Sequence, residues 1–283
     1  MASDARPPQL SPEQLMALVA QLKSGAAADG NEWPPREADR SARLVPSLQQ
    51  ERMWFFTAFD ADQPTNNQGN AWRLSGPLDV DALERVFAEI ARRHEVLRTT
   101  FEDDDQGLQQ RILAEGAPLV VSDADRTELA RVIAEETARP FDLRRDPPLR
   151  ARLIRVGDEE HVLVVTMHHI ATDGWSLGVL GQELAELYAA FIDDDLPPRP
   201  DLPFQYADFA AWQRRWLASR EAATQLAYWR EELRDAPPKL ELRRDRARSA
   251  APAPFEYVAI SARRELLDRA HALAAQKKTT LFM

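Results

Sequence analysis

The sequence predicts an α/β fold in which helices pack against a mixed β-sheet. From Ser41 onward, hydrophobic residues at helical spacing alternate with short apolar runs of the length of strands. Elements that alternate in this way are typical of a sheet covered by helices. Hydrophobic residues make up 44% of the 283 residues, which suffices for a substantial core.

The overall charge narrows the classes of partner. Lys and Arg number 36 against 46 Asp and Glu, and the formal net charge of -10 repels nucleic-acid backbones and anionic lipids. The chain contains no cysteine, which excludes a disulfide framework, a thiolate nucleophile and a cysteine metal site. It shows neither a secretory leader pattern nor an apolar run of about 18 residues. We expect a soluble, cytoplasmic protein that binds neither nucleic acid nor membranes.

The first forty residues predict a short helix followed by a linker. Ser11, Pro12 and Gln14 have the spacing of a capping box with proline in the first helical turn, and an apolar stripe follows. Residues 25–40 are rich in Ala, Gly, Asp and Pro, as linkers are. An amphipathic stripe alone identifies no partner, so packing on the main domain and docking to another protein stay equally open.

Residues 41–236 predict one domain that contains most of the helices and strands. Apolar residues at helical spacing mark three helices: Leu83, Val86, Phe87 and Ile90; Leu129, Val132 and Ile133; Leu180, Leu184, Leu187 and Phe191. Two hairpins are predicted, at 97–101 with 108–113 and at 149–156 with 161–169, because apolar runs flank polar turn residues there. A tryptophan-rich helical pair follows the prolines of residues 197–203.

The pattern changes after residue 236. Residues 237–254 are rich in Pro, Arg and Ala and predict a crossover or linker. Residues 255–260 predict a strand, and a helix that carries Leu266, Leu267 and Leu273 follows. The last five residues have the pattern of the first turn of a further helix. We therefore expect residues 255–283 to be the beginning of a second lobe that is incomplete in this chain.

The most informative string is Met-His-His-Ile-Ala-Thr-Asp-Gly-Trp-Ser, residues 167–176, which follows an apolar strand pattern. Neighbouring side chains of a strand point to opposite faces, so we expect one of His168 and His169 to pack and the other to face a cavity. Rings on opposite faces cannot grip one ion, so no metal site is expected. Asp173 follows a predicted turn, where it can hold the local backbone or pair with a cation. Gly174 leaves room for another backbone or a ligand.

A rival interpretation makes Ser176 a nucleophile. The string Gly-Trp-Ser-Leu-Gly, residues 174–178, matches the nucleophile elbow of serine hydrolases and thioesterases, and it lies between a predicted strand and helix. That fold places its catalytic histidine well downstream of the serine, where His271 is the only candidate. Ser176 is explained more simply as the N-cap of the helix that follows, so the hydrolase is the weaker alternative.

Three further strings each have an ordinary structural explanation, such as an amphipathic helix or cations that cap helix carbonyls. They are Ser47 to Phe55, Arg93 to Phe101 and Tyr206 to Trp212. Together with the histidine string, and in this order, they resemble the condensation domains of nonribosomal peptide synthetases. The resemblance runs from about Ser41 to the end, and it includes Phe141 to Leu143, Pro148 to Ala151, Gln225 to Trp229 and Asp245-Arg246.

The resemblance implies a fold like that of chloramphenicol acetyltransferase, with two similar lobes in a V and a tunnel between them. Residues 41–236 would form the N-terminal lobe, a two-layer mixed-sheet sandwich, and the second lobe would be truncated. Epimerisation domains share the histidine string but usually have Val-Ser-Trp after the glycine, where this chain has Trp175-Ser176. Heterocyclisation domains carry aspartate in place of the histidines, so a condensation domain fits best.

The resemblance also implies roles for the residues of the string. His169 would be catalytic, and Asp173 would pair with an arginine, for which Arg98 is the candidate. The supporting residues would be His168, Asp173, Gly174 and Arg98, and those along the path of a phosphopantetheine arm would be Gly174, Trp175 and Ser176. The backbone N–H of Gly174 would face the developing oxyanion.

The implied reaction joins two carrier-bound substrates: the amine of an aminoacyl thioester attacks an acyl or peptidyl thioester and forms an amide. A neutral imidazole within reach of the amine can take its proton, which is typically worth about 10²–10⁴ in rate. The chain itself would bind no cofactor, because the substrates travel on the phosphopantetheine arms of an upstream donor and a downstream acceptor carrier domain. An adenylation domain would lie adjacent. The non-enzymatic alternative is an inactive fragment or a module that only contacts carrier domains.

Overall fold

The computed structural model describes residues 38–59, 63–193, 201–237 and 261–281. The chain divides into two compact units, residues 1–231 and 232–283. The helix predicted at Ser11, the strand predicted at 255–260 and most of the predicted crossover lie outside the described residues. The assignment of residues 41–236 and 255–283 to two lobes stays a prediction.

The described elements follow one another in this order. They are α1 (Leu48–Phe59), β1 (Asn67–Ser75), α2 (Val80–Arg93), a 3₁₀ helix (Glu95–Arg98), β2 (Thr99–Asp104), β3 (Gly107–Ile112), β4 (Leu119–Asp123), α3 (Leu129–Ala138), β5 (Leu149–Gly157), β6 (Glu160–His168), α4 (Gly174–Ile192), α5 (Tyr206–Leu217), α6 (Arg220–Glu232) and α7 (Arg264–Lys277). Helices and strands are interspersed up to α4, but β2, β3 and β4 follow one another directly, as do β5 and β6, so the predicted alternation is not strict.

Four strands form a mixed sheet in the order β1-β6-β5-β4. Strand β6 pairs antiparallel with β1 on one side and with β5 on the other, whereas β4 pairs parallel with β5. Strands β2 and β3 form a separate antiparallel hairpin. The predicted mixed α/β architecture is therefore confirmed.

Strand β6 is apolar over most of its length because both of its faces are covered. Leu163, Val165 and Met167 join the main core with residues of α2 and α4. The alternate residues Val162 and Val164 face a second cluster that is completed by α3. The alternation of a strand thus places one row of side chains under each helical layer, and it directs the last residues of β6 to different surroundings.

A third cluster joins the end of β6 to three other segments. Phe101 of β2, Phe141 and Leu143 of the loop before β5, and Ile170 after β6 pack together. Trp54 of α1 packs against them, with its ring centroid 6.1 Å from that of Phe101. This cluster holds α1 beside the carboxyl end of β6, which is where the histidine string lies.

Some of the predicted boundaries are wrong. Strand β2 begins at Thr99 rather than at residue 97, because residues 95–98 form a 3₁₀ helix. The helix predicted to open at Thr279 is not formed over residues 279–281: Lys278 adopts a left-handed conformation with φ of 55° and ends α7. The strands β1 and β4 were missed; β1 lies at the sheet edge and has the largely polar sequence NQGNAWRLS.

Candidate functional site

The end of β6 places its two histidines in the different environments that the strand geometry predicts. His168 is the last residue of the strand and is 2% exposed. His169 follows it, is exposed, and donates its backbone N–H to Asn66 O at 2.8 Å, which continues the pairing with β1. One ring is therefore part of the interior and the other reaches the surface.

His168 is held as a neutral ring. Its Nδ1 accepts a hydrogen bond from the N–H of Ile170 at 3.0 Å, so the ring proton lies on Nε2, which donates to Thr57 Oγ1 at 3.0 Å. The edge of the ring meets Phe141, with the centroids 5.8 Å apart. Burial is the main cause that lowers the pKa of His168 from 6.5 to about 4, and the neighbouring His169 and Arg150 lower it further. This histidine cannot act as a base toward a substrate, because both of its nitrogens are engaged.

His169 has its two nitrogens in contrasting positions. Nδ1 lies 2.5 Å from the carbonyl oxygen of Thr172, and Gln68 Nε2 lies 3.2 Å from the same nitrogen. A carbonyl oxygen only accepts, so the close approach favours a ring proton on Nδ1. The lone pair then resides on Nε2, for which no hydrogen-bond partner occurs within the described ranges 38–59, 63–193, 201–237 and 261–281. In the neutral ring this tautomer presents the lone pair of Nε2 at the surface.

Asp173 holds the backbone of the turn rather than a cation. It is the N-cap of α4, and its Oδ1 accepts from Ser176 N–H at 2.9 Å and from Ser176 Oγ at 2.7 Å. Ser176 Oγ in turn accepts from Asp173 N–H at 3.2 Å, which completes a capping box. The hydrogen bonds from Ser176 hold the pKa of Asp173 below its ordinary value. The expectation that Ser176 is the N-cap is wrong, because α4 begins two residues earlier than Ser176 and Ser176 is the third residue of its first turn.

The capping box also engages the hydroxyl that the hydrolase interpretation requires. Ser176 Oγ lies against the Asp173 carboxylate, and no imidazole contacts it among the residues that the structure describes. The geometry therefore gives Ser176 a structural role in the first turn of α4.

Arg98 does not pair with Asp173. Its Nε donates to Ala91 O at 3.0 Å and its Nη1 donates to Leu113 O. Ala91 lies in the last turn of α2, where carbonyls lack partners within the helix, so the guanidinium satisfies a helix end. The expected Arg98–Asp173 pair is thus wrong, because Ser176 occupies one partner and backbone carbonyls occupy the other.

The first turn of α4 offers backbone N–H groups next to His169. Gly174 is its first residue, at a position where the N–H has no acceptor within the helix. A Cβ added there would meet no described atom within 4 Å. Trp175 follows and is 84% exposed. Trp175 and Ser176 also border a cavity of about 150 Å³ between α2 and α4.

The other strings that carried the resemblance have structural roles in this unit. The Arg150 guanidinium carbon lies 3.7 Å from the centre of the Phe141 ring, and its nitrogens donate to Pro140 O and Arg139 O. Burial lowers the pKa of Arg150 to about 10. Phe141 also contacts His168. The strings at residues 141–143 and 148–151 therefore pack together beside the buried imidazole.

The string at residues 206–212 contains a buried carboxylate. Asp208 is 1% exposed, and its oxygens accept from Arg40 Nη1 at 2.6 Å and Nη2 at 3.0 Å. Arg40 also pairs with Glu95 at 2.7 Å. Burial raises the pKa of Asp208, but the hydrogen bonds from Arg40 and from backbone N–H groups bring it below its ordinary value. The network ties the segment before α1 to α5.

Four residues near the histidines were not predicted from the sequence: Thr57, Asn66, Gln68 and Thr172. Thr172 lies inside the histidine string and contributes its backbone carbonyl, which no side-chain pattern reports. Gln68 and Asn66 arrive through the pairing of β1 with β6, so predicting β1 would have been the signal needed to find them.

Metal and membrane features are missing from the described part of the chain. No group of three or more His, Cys, Asp or Glu side chains there could hold a metal ion. No helix of that part is long and apolar enough to cross a membrane.

Comparison with known proteins identifies the family. Residues 43–283 match the model of the condensation domain. One of the linear gramicidin synthase chains of Brevibacillus parabrevis is 41% identical over 84% of this chain, and phosphinothricin tripeptide synthetase PhsC of Streptomyces viridochromogenes is 37% identical over 97% of it. The chain spans 3% and 26% of the lengths of these two relatives.

Solved structures show the same fold. The X-domain from teicoplanin biosynthesis, in its complex with OxyB, matches with a TM-score of 0.69 and 35% identity over 77% of this chain. The starter condensation domain of rhizomide synthetase RzmA matches with a TM-score of 0.64 at 22% identity over 70% of this chain. This chain spans 49% of the length of each of these structures. With the mixed sheet, the histidine string at its edge and the family match over residues 43–283, the chain belongs to the condensation-domain family of nonribosomal peptide synthetases.

Proposed function

We propose that this chain carries the catalytic histidine of an amide-forming acyltransferase. The amine nitrogen of an aminoacyl thioester attacks the carbonyl carbon of a donor acyl or peptidyl thioester, and a C–N bond forms. The C–S bond then breaks, and the thiol leaves with the proton that the amine gave up. The observation that carries the proposal is the free Nε2 of His169, which the contact of Nδ1 with Thr172 O leaves as a proton acceptor.

His169 would take the proton of the attacking amine. The Thr172 carbonyl stabilises the positive ring that results, because Nδ1–H then becomes a charge-assisted donor. General-base assistance of this kind is worth about 10²–10⁴ in rate. His168 would act only by position, because it fixes the backbone from which His169 projects.

The first turn of α4 would bind the negative charge of the tetrahedral intermediate. Gly174 presents a backbone N–H at a helix N-terminus, where the helix dipole favours an anion. The open space above Gly174 allows a thioester and its phosphopantetheine arm to approach the backbone closely. Exposed Trp175 would line the same path together with Ser176.

The partners would be carrier domains that deliver both thioesters, with an adenylation domain that loads the acceptor. The relatives support this proposal, since the chain spans only 3% and 26% of two matched peptide synthetases.

A second candidate function is a binding module without chemistry. It is favoured by the 35% identity to the X-domain of teicoplanin biosynthesis, a domain that was solved in complex with another protein, OxyB. In that case the exposed surface around α4 would serve recognition, and His169 would have no acceptor role.

One assay separates the two functions. The purified chain and, beside it, a complete condensation domain are given two loaded carrier proteins, and mass spectrometry measures the dipeptidyl thioester. The proposal predicts product that disappears in the His169→Gln variant and persists in Ser176→Ala. Product from the complete domain alone would identify this chain as an inactive fragment, whereas carrier binding without product in both proteins would support the binding module. Loss of product in Ser176→Ala equal to that in His169→Gln would revive the hydrolase.

A further inference from the structure

Gln68 of β1 is the one side chain from outside the histidine string for which the described residues show a hydrogen bond to the His169 ring. Its carboxamide nitrogen lies 3.2 Å from His169 Nδ1, and its carboxamide oxygen accepts from Thr172 Oγ1 at 3.3 Å. Register explains the approach: Gln68 pairs with Met167, two residues before His169 on the adjacent strand. The amide is therefore held at both ends against the segment that positions the imidazole.

The two ends of this amide fit two different tautomers. A donor N–H₂ group can bond Nδ1 only when the ring proton lies on Nε2, whereas the carboxamide oxygen can bond Nδ1 only when the proton lies on Nδ1 itself. The carbonyl of Thr172, 2.5 Å away, favours the second state. The orientation of a carboxamide is assigned from its hydrogen bonds. When the amide is turned over, so that its oxygen faces Nδ1, the network closes: the amide N–H₂ donates to Thr172 Oγ1, which donates to His168 O at 3.2 Å.

We propose that Gln68 is a positioning residue that, through its carboxamide oxygen, holds His169 in the tautomer with a free Nε2. The proposal deepens the proposed function and rests on it for its kinetic consequence, but the tautomer itself is a property of the ring that can be measured without substrate. The proposal also accounts for a polar residue at this position of the edge strand, because an acceptor placed opposite Met167 lies beside His169.

Three substitutions of Gln68 distinguish a role as hydrogen-bond acceptor from a role in packing alone. Gln68→Glu keeps an acceptor and removes the donor, Gln68→Leu removes both, and Gln68→Lys supplies only a donor. We expect the rate constant kcat of amide formation at fixed pH to fall in the order Glu, Leu, Lys, with a loss on the order of tenfold for Leu and little change in KM. Asn70→Leu, two residues along β1 on the same face, is the matched control and should retain the activity of the parent chain.

The tautomer is read directly from the ring nitrogen resonances of the full chain labelled with ¹⁵N-histidine. The His169 signals are identified by their loss in His169→Gln. We expect the Nδ1–H form in the parent chain and in Gln68→Glu, and a mixture or the Nε2–H form in Gln68→Leu and Gln68→Lys. Unchanged His169 signals in all three variants would overturn the role of Gln68, whether or not any amide is formed. Tautomer changes in the predicted order without any amide product would instead support the positioning role of Gln68 and contradict the proposed amide-forming function.

Discussion

The two adjacent rings at the end of β6 differ in chemistry because their neighbours differ. Both nitrogens of His168 are used inside the protein, by Ile170 N–H and by Thr57 Oγ1, and burial lowers its pKa to about 4. His169 has one nitrogen fixed by the Thr172 carbonyl and the other open. Among the described residues, the pair thus combines a buried ring with both nitrogens bonded and an exposed ring with only Nδ1 bonded, and no carboxylate bonds either ring.

The buried His168 predicts a pH dependence of stability. Its pKa is about 4 in the folded chain against 6.5 for an ordinary histidine, so between these values the unfolded chain binds more protons. Stability from this group is present above pH 6.5 and is lost as the pH falls to 4, and about 2 kcal/mol of the loss falls between about pH 7 and pH 5. Urea unfolding at the two pH values measures it. The change in unfolding free energy between the two pH values should be smaller by this amount in the His168→Gln variant. Equal changes in the two chains would refute the neutral buried ring.

Most of the site residues could be read from the sequence because they lie in one contiguous string. Strand alternation separates His168 from His169, and the spacing from Asp173 to Ser176 is that of a capping box, although the predicted N-cap was the serine. Gln68 and Thr57 could not be read, because a non-local pairing and a packed helix bring them to the histidines. Arg98 was misassigned because an arginine before a strand fits a helix cap as well as an ion pair.

At the scale of elements, the start of α4 depends on one carboxylate. Replacing Asp173 with alanine removes the acceptor for Ser176 N–H and Oγ and should destabilise the chain by about 1 kcal/mol. Thermal unfolding measures the loss. Because Arg98 binds other carbonyls, the losses from Asp173→Ala and Arg98→Ala should add in the double variant. A coupling energy above about 1 kcal/mol between the two substitutions would show that Arg98 and Asp173 interact, contrary to the structure.

The contact of β1 with α3 requires a glycine. A Cβ at Gly69 would lie 2.6 Å from Thr137 Cβ, and the Thr137 side chain is anchored by its bond to Ile133 O. Gly69→Ala should therefore cost about 1–3 kcal/mol in the free energy of unfolding, measured by urea titration. Gly181→Ala in α4 is the matched control, since its Cβ meets nothing within 4 Å and a helical alanine stabilises by up to about 1 kcal/mol. Equal effects of the two substitutions would show that β1 and α3 do not pack as described.

Helices α2, α3 and α4 and the hairpin β5–β6 were predictable because their apolar residues recur with the period of the element. Strand β1 was not, since it lies at an edge with partial exposure and begins with the residues Asn-Gln-Gly-Asn, which carry no apolar pattern. Strand β4 has five residues and pairs parallel with β5, a contact that local sequence does not encode. Long periodic elements are thus visible in the sequence, whereas short or edge strands acquire their structure from their neighbours.

At the scale of the first unit, the network of Arg40, Asp208 and Glu95 fastens the segment before α1 to α5. Asp208 is buried and Arg40 is partly exposed, so Asp208→Ala leaves a cation without its main partner. We expect a loss of about 3 kcal/mol in unfolding free energy. Glu135→Ala, which removes an exposed partner of Arg131 on α3, should cost less than about 0.5 kcal/mol. Similar losses at the two sites would show that the Asp208 pair does not fasten these segments.

The first unit holds His169 by Nδ1, at the turn that leads into the N-terminus of α4. The core fixes β6, and β1 pairs with β6 beside the histidines. The capping box forms the first turn of α4. His169, Gly174 and Trp175 are all exposed, so the buried residues contribute by positioning these three.

The most direct measurement is the single-turnover rate of amide formation by a complete condensation domain that contains this chain, compared with its His169→Gln variant. We predict a fall of about 10²–10⁴ in rate with an unchanged melting temperature, because His169 is exposed and its loss leaves the core intact. A variant that forms the amide at the parent rate would contradict this prediction, since the free Nε2 of His169 would then have no part in the reaction.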